Sequence, residues 1–134
     1  MLGRRSFLSR SPFTLKPLER SSRRWLIAEL DKYTSLIVRR RDRRCVTCGS
    51  RQALQCSHFY SRHYLTIRFD LRNCNGMCST CNRRHNSDAT AYQRFMNERY
   101  GPAVVAELDG MRISMRKVSD EELLKLLEGY KAAF

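Results

Sequence analysis

The chain has 134 residues, which is enough for one domain with a single core and too few for two. Its 26 Lys and Arg against 13 Asp and Glu give a formal net charge of +13, which favours a polyanionic partner and predicts binding to nucleic acid. The sequence contains no run of about 18 or more apolar residues, so we expect no membrane span and a cytoplasmic protein.

The positive charge is concentrated in the N-terminal part of the chain. Residues 1–52 carry 14 basic and 4 acidic side chains, whereas residues 89–134 carry 7 of each. Residues 1–20 are rich in Ser, Arg and Pro, so we expect them to form a basic, flexible arm. Residues 21–134 are expected to form one domain, with its core at residues 45–88 and a helical part after it.

A long helix is predicted directly after the arm. Ser21 or Ser22 can cap its N terminus, and apolar residues then recur at intervals of three and four with no break before Asp42. Its last turn is rich in Arg, which suits the negative end of the helix dipole. The apolar residues at this spacing include Trp25, Ala28, Leu36 and Ile37.

Two Cys-x-x-Cys motifs enclose 29 residues and predict a structural metal site. Four thiolates bind Zn²⁺ tetrahedrally and leave it no open position for water. In a basic chain without a secretory signal, paired motifs of this kind indicate metal rather than disulfides. Spacing leaves open whether Cys56 or Cys74 joins the site, or whether the cysteines are simply reduced. The predicted ligands of the structural Zn²⁺ are Cys45, Cys48, Cys78 and Cys81.

The residues between the two motifs predict two short strands, and a helix follows them. Residues 53–58 and 73–77 have the composition and alternation of short strands. Ser79 or Thr80 can cap the short helix. The predicted fold is therefore α+β: a small zinc-stapled ββα core, flanked by the long first helix and by C-terminal helices.

The C-terminal part is predicted to contain three helices. The first ends at Gly101 and Pro102, a glycine stop followed by a proline that can begin the second helix. Ser119 and Glu122 form a capping box at the start of the third helix.

His58 is the candidate catalytic residue because of the polar residues that follow it. Asn73 comes 15 residues after His58, and Asn82 comes nine residues after Asn73. Asn82 and Asn86 are about one helical turn apart, so they could aim at the same ion. Amide oxygens suit a hard cation such as Mg²⁺ or Mn²⁺, and His85 could replace or join them as a ligand.

The strands, loop and helix bounded by Cys pairs resemble the HNH, or ββα-metal, nuclease motif. The resemblance implies that His58 activates water, Asn73 braces the loop and Asn82 holds a divalent metal ion, which makes this an HNN variant. Many HNH enzymes carry Asp or His directly before the catalytic His as a metal ligand, whereas this chain has Ser57. The catalytic ion is therefore expected to be weakly held, and Asp70 could approach it from the loop.

More narrowly, the segment CSHFYSRHYLTIRFDLRNCNGMCSTCNRRHNSDATAYQRFMNERYG resembles the NinG, or Rap, recombination endonucleases of lambdoid phages, and TLKPLERSSRRW is similar too. This resemblance covers roughly residues 14–134. It implies a metal-dependent endonuclease that cleaves branched DNA, such as D-loops and Holliday junctions, in the host cytoplasm. Because a four-way junction needs two coordinated cuts, the sequence is compatible with a homodimer through the neutral C-terminal helices.

The hypothesis is one-metal hydrolysis of a phosphodiester, in which neutral His58 takes a proton from the attacking water. Two alternatives stay open: a non-catalytic zinc-ribbon-like DNA-binding module in which His58 only packs, and a phage HNH nuclease that serves DNA packaging. Arginines are expected to contact DNA phosphates without reading bases, which favours structure over sequence specificity. The expected DNA contacts are Arg39, Arg40, Arg41, Arg43, Arg44, Arg62, Arg68, Arg83 and Arg84.

Overall fold

The computed structural model describes residues 22–134 and has a small α+β fold, as the sequence predicts. The predicted basic arm, residues 1–20, lies outside the described residues, and so does Ser21. Within the described part, the elements in chain order are α1 (Arg23–Asp42), β1 (Leu54–His58), α2 (Leu65–Arg68), β2 (Cys74–Cys78), α3 (Ser79–His85), α4 (Thr90–Arg99), α5 (Pro102–Ile113) and α6 (Asp120–Ala133).

Helix α1 begins and ends where the sequence predicts. The Ser22 hydroxyl accepts a hydrogen bond from the Trp25 backbone N–H at 3.2 Å, and Arg43 ends the helix in the left-handed conformation, with φ 63°. Of the four apolar residues noted at helical spacing, Ala28 is exposed, and Trp25, Leu36 and Ile37 are half-buried. Apolar residues occur at helical spacing on more than one side of α1, and contact with α6 and the sheet selects the buried side. The buried residues are Leu26, Leu30, Thr34 and Val38.

Strands β1 and β2 pair as an antiparallel sheet of two strands within residues 22–134. Leu54 pairs with Cys78 at one end, and His58 pairs with Cys74 at the other. Strand β2 begins and ends one residue later than predicted. The segment that connects the strands carries α2, a single helical turn, so β1 ends in a loop that folds back beside β2.

A buried ion pair binds the end of α1 to β2. The Asp42 side chain is 1% exposed, and it accepts hydrogen bonds from Arg41 at 2.8 Å and from the Gly76 N–H at 2.7 Å. Arg41 also donates to the carbonyl oxygens of Leu71 and Cys74, at 2.8 and 2.9 Å. A Cβ on Gly76 would lie only 3.1 Å from the Asp42 Cβ, so glycine permits this close approach.

Two clusters of buried side chains form the core. One joins α1 to α6, and the other surrounds the Cys motifs and is covered by α4 and α5. The α1–α6 cluster consists of Leu26, Leu30, Phe69, Leu123 and Leu127. The cluster around the motifs consists of Cys45, Ile67, Met77, Cys78, Cys81, Tyr92, Met96 and Leu108.

The three predicted C-terminal helices are present. Helix α5 begins at Pro102, directly after Gly101, and Ser119 and Glu122 form the predicted capping box of α6. Across the described residues, every helix is too short or too polar to cross a membrane.

Candidate functional site

The first Cys motif lies on a tight turn just after α1. The Cys45 N–H donates to the Ser50 carbonyl, and the Gly49 N–H donates to the Cys45 carbonyl, both at 2.8 Å. Gly49 has φ 80°, a conformation that L side chains disfavour. The Val46 N–H donates to the Gly76 carbonyl at 2.9 Å and fastens the turn to β2. The turn therefore presents its two thiols toward the end of β2.

The second Cys motif spans the junction of β2 and α3. Cys78 is the last residue of β2 and the N-cap of α3, and its sulfur accepts a hydrogen bond from the Cys81 N–H at 3.4 Å. The prediction of Ser79 or Thr80 as the cap is wrong, because Ser79 is already the first residue of the helix. The first turn of α3 thus brings Cys81 close to Cys78.

The four cysteines of the two motifs converge, and we call them the thiol clamp. Their Sγ atoms all lie within 4.8 Å of one another, and those of Cys48 and Cys78 are 3.7 Å apart. Tetrahedral Zn²⁺ with bonds of about 2.3 Å separates its sulfur ligands by roughly 3.8 Å, so the geometry fits the ion. The thiol clamp could therefore hold a metal ion such as zinc. Its residues are Cys45, Cys48, Cys78 and Cys81.

Hydrogen bonds in the thiol clamp favour a thiolate at Cys45. Burial would raise the pKa of the Cys45 thiol, but hydrogen bonds from the Thr47 hydroxyl, 3.2 Å away, and from backbone N–H groups outweigh burial and lower this pKa to about 6. The thiolate is the form of Cys that binds metal ions. The hydrogen bonds of the clamp thus favour the form of Cys45 that binds metal ions.

Cys56 and Cys74 lie outside the thiol clamp. Their sulfur atoms and a ring nitrogen of His58 lie within 4.8 Å of one another in a separate group. His58 and Cys74 are direct cross-strand partners, and Cys56 is two residues before His58 on the same face of β1. A hydrogen bond between the two thiols lowers the pKa of Cys56 and raises that of Cys74. Spacing alone left open whether Cys56 or Cys74 joins the four-cysteine site, and the structure places both of them outside it.

His58 lies at the end of β1, where the backbone fixes its tautomer. Its Nε2 is 2.9 Å from the Arg68 carbonyl oxygen, which can only accept, so Nε2 carries the proton and Nδ1 keeps its lone pair. Burial lowers the pKa of His58, and although the bond to the Arg68 carbonyl and the charge of Asp31 raise it, the positive charge of Arg62 adds to the lowering. The imidazole is therefore neutral at pH 7.

Asn73 braces the loop that leaves β1. It is fully buried, and its Oδ1 accepts a hydrogen bond from the Tyr60 N–H at 2.9 Å. Its Nδ2 donates to the carbonyl oxygens of Tyr60 and Ile67, at 3.0 and 3.3 Å. These bonds hold the loop against the start of β2, next to the pair formed by His58 and Cys74.

Three polar residues of interest lie on helix α3 or at its C-terminal end: Asn82, His85 and Asn86. Asn82 accepts a hydrogen bond from the Ser57 hydroxyl through Oδ1, at 2.7 Å. His85 donates from Nε2 to the Phe59 carbonyl at 2.8 Å, and its Nδ1 is buried and has no partner in the part of the chain that the structure describes. Asn86 caps the C-terminal end of α3 and is exposed.

His58, Asn82, His85 and Asn86 line one open groove of about 470 Å³, which we call the histidine groove. It lies between the end of β1, the following loop and α3. Asp70 was expected to approach from the loop but pairs instead with Arg72 at 2.8 Å, and among the described residues no carboxylate lines the groove. The lining residues are Cys56, His58, Phe59, Ser61, Arg62, Asn82, Arg83, His85 and Asn86.

The nine arginines expected to contact DNA divide into two sets. Arg41 is bound by Asp42 and by backbone carbonyls, and Arg68 forms two hydrogen bonds with Asp31, at 2.9 and 2.6 Å. Both guanidinium groups are thus partly buried and paired with protein acceptors, whereas Arg62, which also donates to Asp31 at 3.0 Å, keeps an exposed side chain. The exposed arginines are Arg39, Arg40, Arg43, Arg44, Arg62, Arg83 and Arg84.

Two residues that support the site were missed in the sequence. Asp31, on α1, holds Arg68, whose carbonyl in turn holds His58. The buried Tyr92 donates its hydroxyl proton to the Ser57 carbonyl at 2.8 Å and so fixes β1 behind the groove. Tyr92 was recognisable as a core residue from its helical spacing, but its hydroxyl partner is 35 residues away and no local pattern indicates it.

Sequence comparison shows the family of this chain. The family model described as bacteriophage lambda NinG protein matches residues 10–134. The NinG protein of Salmonella phage P22 is 27% identical over 115 residues, which cover 80% of this chain and 55% of that protein. The chain thus spans about half the length of the curated relative that it matches. No solved structure matches it. Because the family model extends over most of its length, this chain belongs to the NinG family of phage proteins.

Proposed function

We propose that this protein is a metal-dependent endonuclease of the HNH type that hydrolyses DNA phosphodiesters. The arrangement of the histidine groove carries the proposal, since His58 and His85 both have Nε2 bound to a backbone carbonyl and Nδ1 left with its lone pair. Asn82 lies in the same groove, and so do the exposed side chains of Arg62 and Arg83. A general base, candidate metal ligands and phosphate-binding cations thus surround one space.

The donors in the groove fit a hard divalent cation, Mg²⁺ or Mn²⁺. Asn82 Oδ1 is an oxygen donor of the kind that hard cations prefer, and the Ser57 hydroxyl, which donates to it at 2.7 Å, fixes its orientation. His85 offers its unpaired Nδ1, and its bond to the Phe59 carbonyl fixes the tautomer as is usual for metal-binding histidines. We therefore favour His85 over the exposed Asn86 as the second ligand beside Asn82.

The cation would be held weakly until DNA is bound. Because residues 22–134 place no carboxylate in the groove, phosphate oxygens of the substrate would complete the ligand set. The bound cation would offset the charge that develops on the scissile phosphate and the leaving oxygen.

His58 would act as the general base. Its Nδ1 takes a proton from a water molecule as that water attacks phosphorus. The Arg68 carbonyl keeps the ring oriented, because Nε2–H stays bound to it during the transfer, and Asp31 holds Arg68 in turn. The lowered pKa of His58 keeps the base unprotonated at neutral pH. Arg62 and Arg83 would hold phosphates beside the break.

Branched recombination intermediates, such as D-loops and Holliday junctions, are the proposed substrates. The exposed arginines lie on two separate parts of the fold, the end of α1 and helix α3 with the loop before α2, which suits contact with more than one DNA arm. Phosphate contacts of this kind carry no base specificity. Membership of the NinG family and the resemblance of the strand-loop-strand-helix segment to HNH nucleases support the same substrate class.

The test is a cleavage assay on linear duplex, flap, D-loop and four-way DNA with Mg²⁺ or EDTA. We expect His58→Ala to lower the single-turnover rate by about 10²–10⁴-fold without releasing zinc from the thiol clamp, because the proton acceptor is removed and the four clamp cysteines are kept. His63→Ala is the matched control: His63 is exposed, lies five residues away and is outside the groove. If His58→Ala cleaves DNA at the wild-type single-turnover rate, the proposed mechanism is wrong.

A non-catalytic DNA-binding module is the second candidate, and the lack of a carboxylate in the described lining of the groove favours it. Such a protein would shift the mobility of the same substrates and leave them unbroken with either Mg²⁺ or Mn²⁺. A nuclease that serves DNA packaging would instead cleave linear duplex in preference to branched DNA.

A homodimer would allow two coordinated cuts. Large apolar side chains are exposed in the C-terminal helices and the segment between them, with Met115 95% exposed and Ile113 62% exposed. This surface is the proposed dimer contact. Sedimentation equilibrium with wild-type protein and Ile113→Lys would separate a dimer through this surface from a monomer or from a dimer through another one.

A further inference from the structure

The group formed by Cys56, His58 and Cys74 has no role in the proposed hydrolysis beyond that of His58. The ligand atoms of these residues lie within 4.8 Å of one another, and the group is separate from the thiol clamp. The Cys74 Sγ–H and the His58 Nε2–H both donate to the Arg68 carbonyl, at 3.2 and 2.9 Å, so a cation must displace the thiol proton of Cys74 and bind a deprotonated nitrogen of His58. Antiparallel pairing of β1 with β2 creates this convergence, because His58 is directly opposite Cys74.

Two sulfurs and one imidazole nitrogen make a soft donor set. Such a set prefers Zn²⁺ or Cd²⁺ to Mg²⁺, and three protein ligands leave a tetrahedral ion one open position. The group therefore differs from the thiol clamp, whose four sulfurs would fill the coordination shell. It also differs from the hard donors on the α3 side of the histidine groove.

The geometry of Cys56 and Cys74 suits a disulfide less well than it suits metal binding. The two residues are diagonal neighbours, since Cys56 pairs with Gly76 and Cys74 with His58. Diagonal neighbours in an antiparallel sheet have Cα atoms about 7–8 Å apart, whereas disulfides usually need about 4.4–6.8 Å. Metal binding asks less of the backbone, because an ion adds two bonds of about 2.3 Å between the sulfurs.

An ion from solvent can reach the group. Cys56 and His58 line the histidine groove and also a second groove of about 320 Å³ against α1, whereas Cys74 is fully buried behind them. The hydrogen bond between the two thiols and the nearby charge of Arg41 favour a thiolate at Cys56. Cys56 is therefore the first sulfur of the group that an incoming cation meets.

We propose that Cys56, His58 and Cys74 form a second site for a soft divalent cation, Zn²⁺ in the first instance, distinct from the thiol clamp and open to solvent. An ion bound there takes the imidazole of His58 as a ligand and withdraws it from proton transfer. This second statement rests on the proposed function, whereas the binding site itself does not. Zinc would then stabilise the fold when bound to the thiol clamp and inhibit cleavage when bound to His58.

Metal stoichiometry tests the site independently of any cleavage. Full-length protein that carries one equivalent of zinc is titrated with Co²⁺, and sulfur-to-cobalt charge-transfer absorption counts the added ion. We expect one further equivalent for wild-type protein and none for Cys56→Ser or Cys74→Ser. Ser35→Ala is the matched control, because Ser35 lines the second groove without offering a soft ligand, and it should bind like wild type.

Either of two results would overturn the site: no second equivalent in wild-type protein, or an unchanged second equivalent in both Cys variants. Circular dichroism on each variant verifies folding, and Cys56→Ser is the safer variant because Cys56 is only partly buried.

Inhibition is tested with Mg²⁺ held constant and zinc added above one equivalent. Wild-type cleavage should fall as the second site fills, whereas Cys56→Ser should keep its own zinc-free rate. If the second ion binds and wild-type cleavage persists, the inhibitory role is wrong. If no variant cleaves DNA at all, the proposed nuclease function fails, while the cobalt titration still decides whether the site exists.

Discussion

The thiol clamp and the histidine groove are built from the same segment of chain, yet their donors are arranged in opposite ways. Cys78 and Cys81 supply half of the clamp, and Asn82 and His85, on the same short helix, supply one wall of the groove. In the clamp, four sulfurs converge on one point, and hydrogen bonds from Thr47 and from a backbone N–H reach two of them. In the groove, each imidazole has one nitrogen tied to the backbone and one with a lone pair. The clamp is suited to hold a metal ion that stabilises the fold, whereas the groove keeps ring nitrogens with free lone pairs, as the proposed function requires.

The largest expected effect comes from breaking the clamp. Structural zinc contributes on the order of 10 kcal/mol in zinc-finger peptides, which exceeds or matches the roughly 5–15 kcal/mol stability of a small domain. Chelation or Cys78→Ser should therefore unfold the region around both motifs. Thermal melts followed by circular dichroism, with zinc content measured in parallel, check this. Cys56 lies outside the clamp, so Cys56→Ser should keep the fold and one zinc ion. A Cys78→Ser protein that melts like wild type would show that the clamp does not hold the fold.

A smaller effect is expected from the brace between the two regions. Asn73→Ala removes three hydrogen bonds and leaves the Tyr60 N–H without its partner, so stability should fall by about 2–4 kcal/mol. Urea denaturation measures the loss. Asn97→Ala, at an exposed position of α4, is the control and should change stability by less than about 0.5 kcal/mol. Equal effects of the two substitutions would mean that the loop is held by something other than Asn73.

A substitution at Arg83 tests DNA binding at the groove without disturbing the fold that the clamp stabilises. In a His58→Ala background, Arg83→Ala should weaken DNA binding and reduce the slope of log K against log salt by about 0.9, which corresponds to one phosphate contact. The melting temperature should not change, because Arg83 is exposed. Arg94→Ala, on the exposed surface of α4, should leave the salt slope intact. An unchanged slope for Arg83→Ala would place the DNA elsewhere.

The smallest effect concerns the protonation of His58. Its pKa is lowered in the fold, mainly by burial and also by Arg62, so the acid limb of cleavage should lie below the pH expected for a free histidine with a pKa near 6.5. Between these two pKa values the folded protein binds fewer protons than the unfolded chain. Stability from this residue is therefore complete above about pH 6.5 and is lost as the pH falls toward the folded pKa.

Imidazole NMR titration of the folded protein and of the urea-unfolded protein measures both pKa values of His58. Arg62→Ala should raise the folded value, because it removes a positive charge. A folded pKa above the unfolded one would mean that the ring is not a neutral base at pH 7.

Local patterns predicted what depends on neighbours in sequence. The cap of α1 by Ser22, the end of α1 at Asp42 and the capping box of α6 follow from residue type and spacing within a few positions. The four clamp cysteines follow similarly, because two Cys-x-x-Cys turns need only one partner turn to complete a tetrahedral set.

Long-range contacts decided what spacing could not. Arg41 and Arg68 have the same charge as Arg39 and Arg83, yet they are bound inside the protein, by groups on β2 and α1 respectively. Spacing predicted the helix α1 but not its buried side, because a helix with apolar residues on several sides is oriented by what packs on it. Cys56, equally, could be assigned to its group only once the register of β1 against β2 was known.

The sequence by itself determined the chemistry available to this NinG-family protein: four thiols in paired turns, one histidine on a strand, polar residues on the following helix and an excess of arginine. Only the tertiary structure decided which of these groups meet. Metal-ligand types and helix caps are encoded over a few residues, whereas strand register, the tautomer of His58 and the burial of an arginine depend on atoms contributed from tens of residues away.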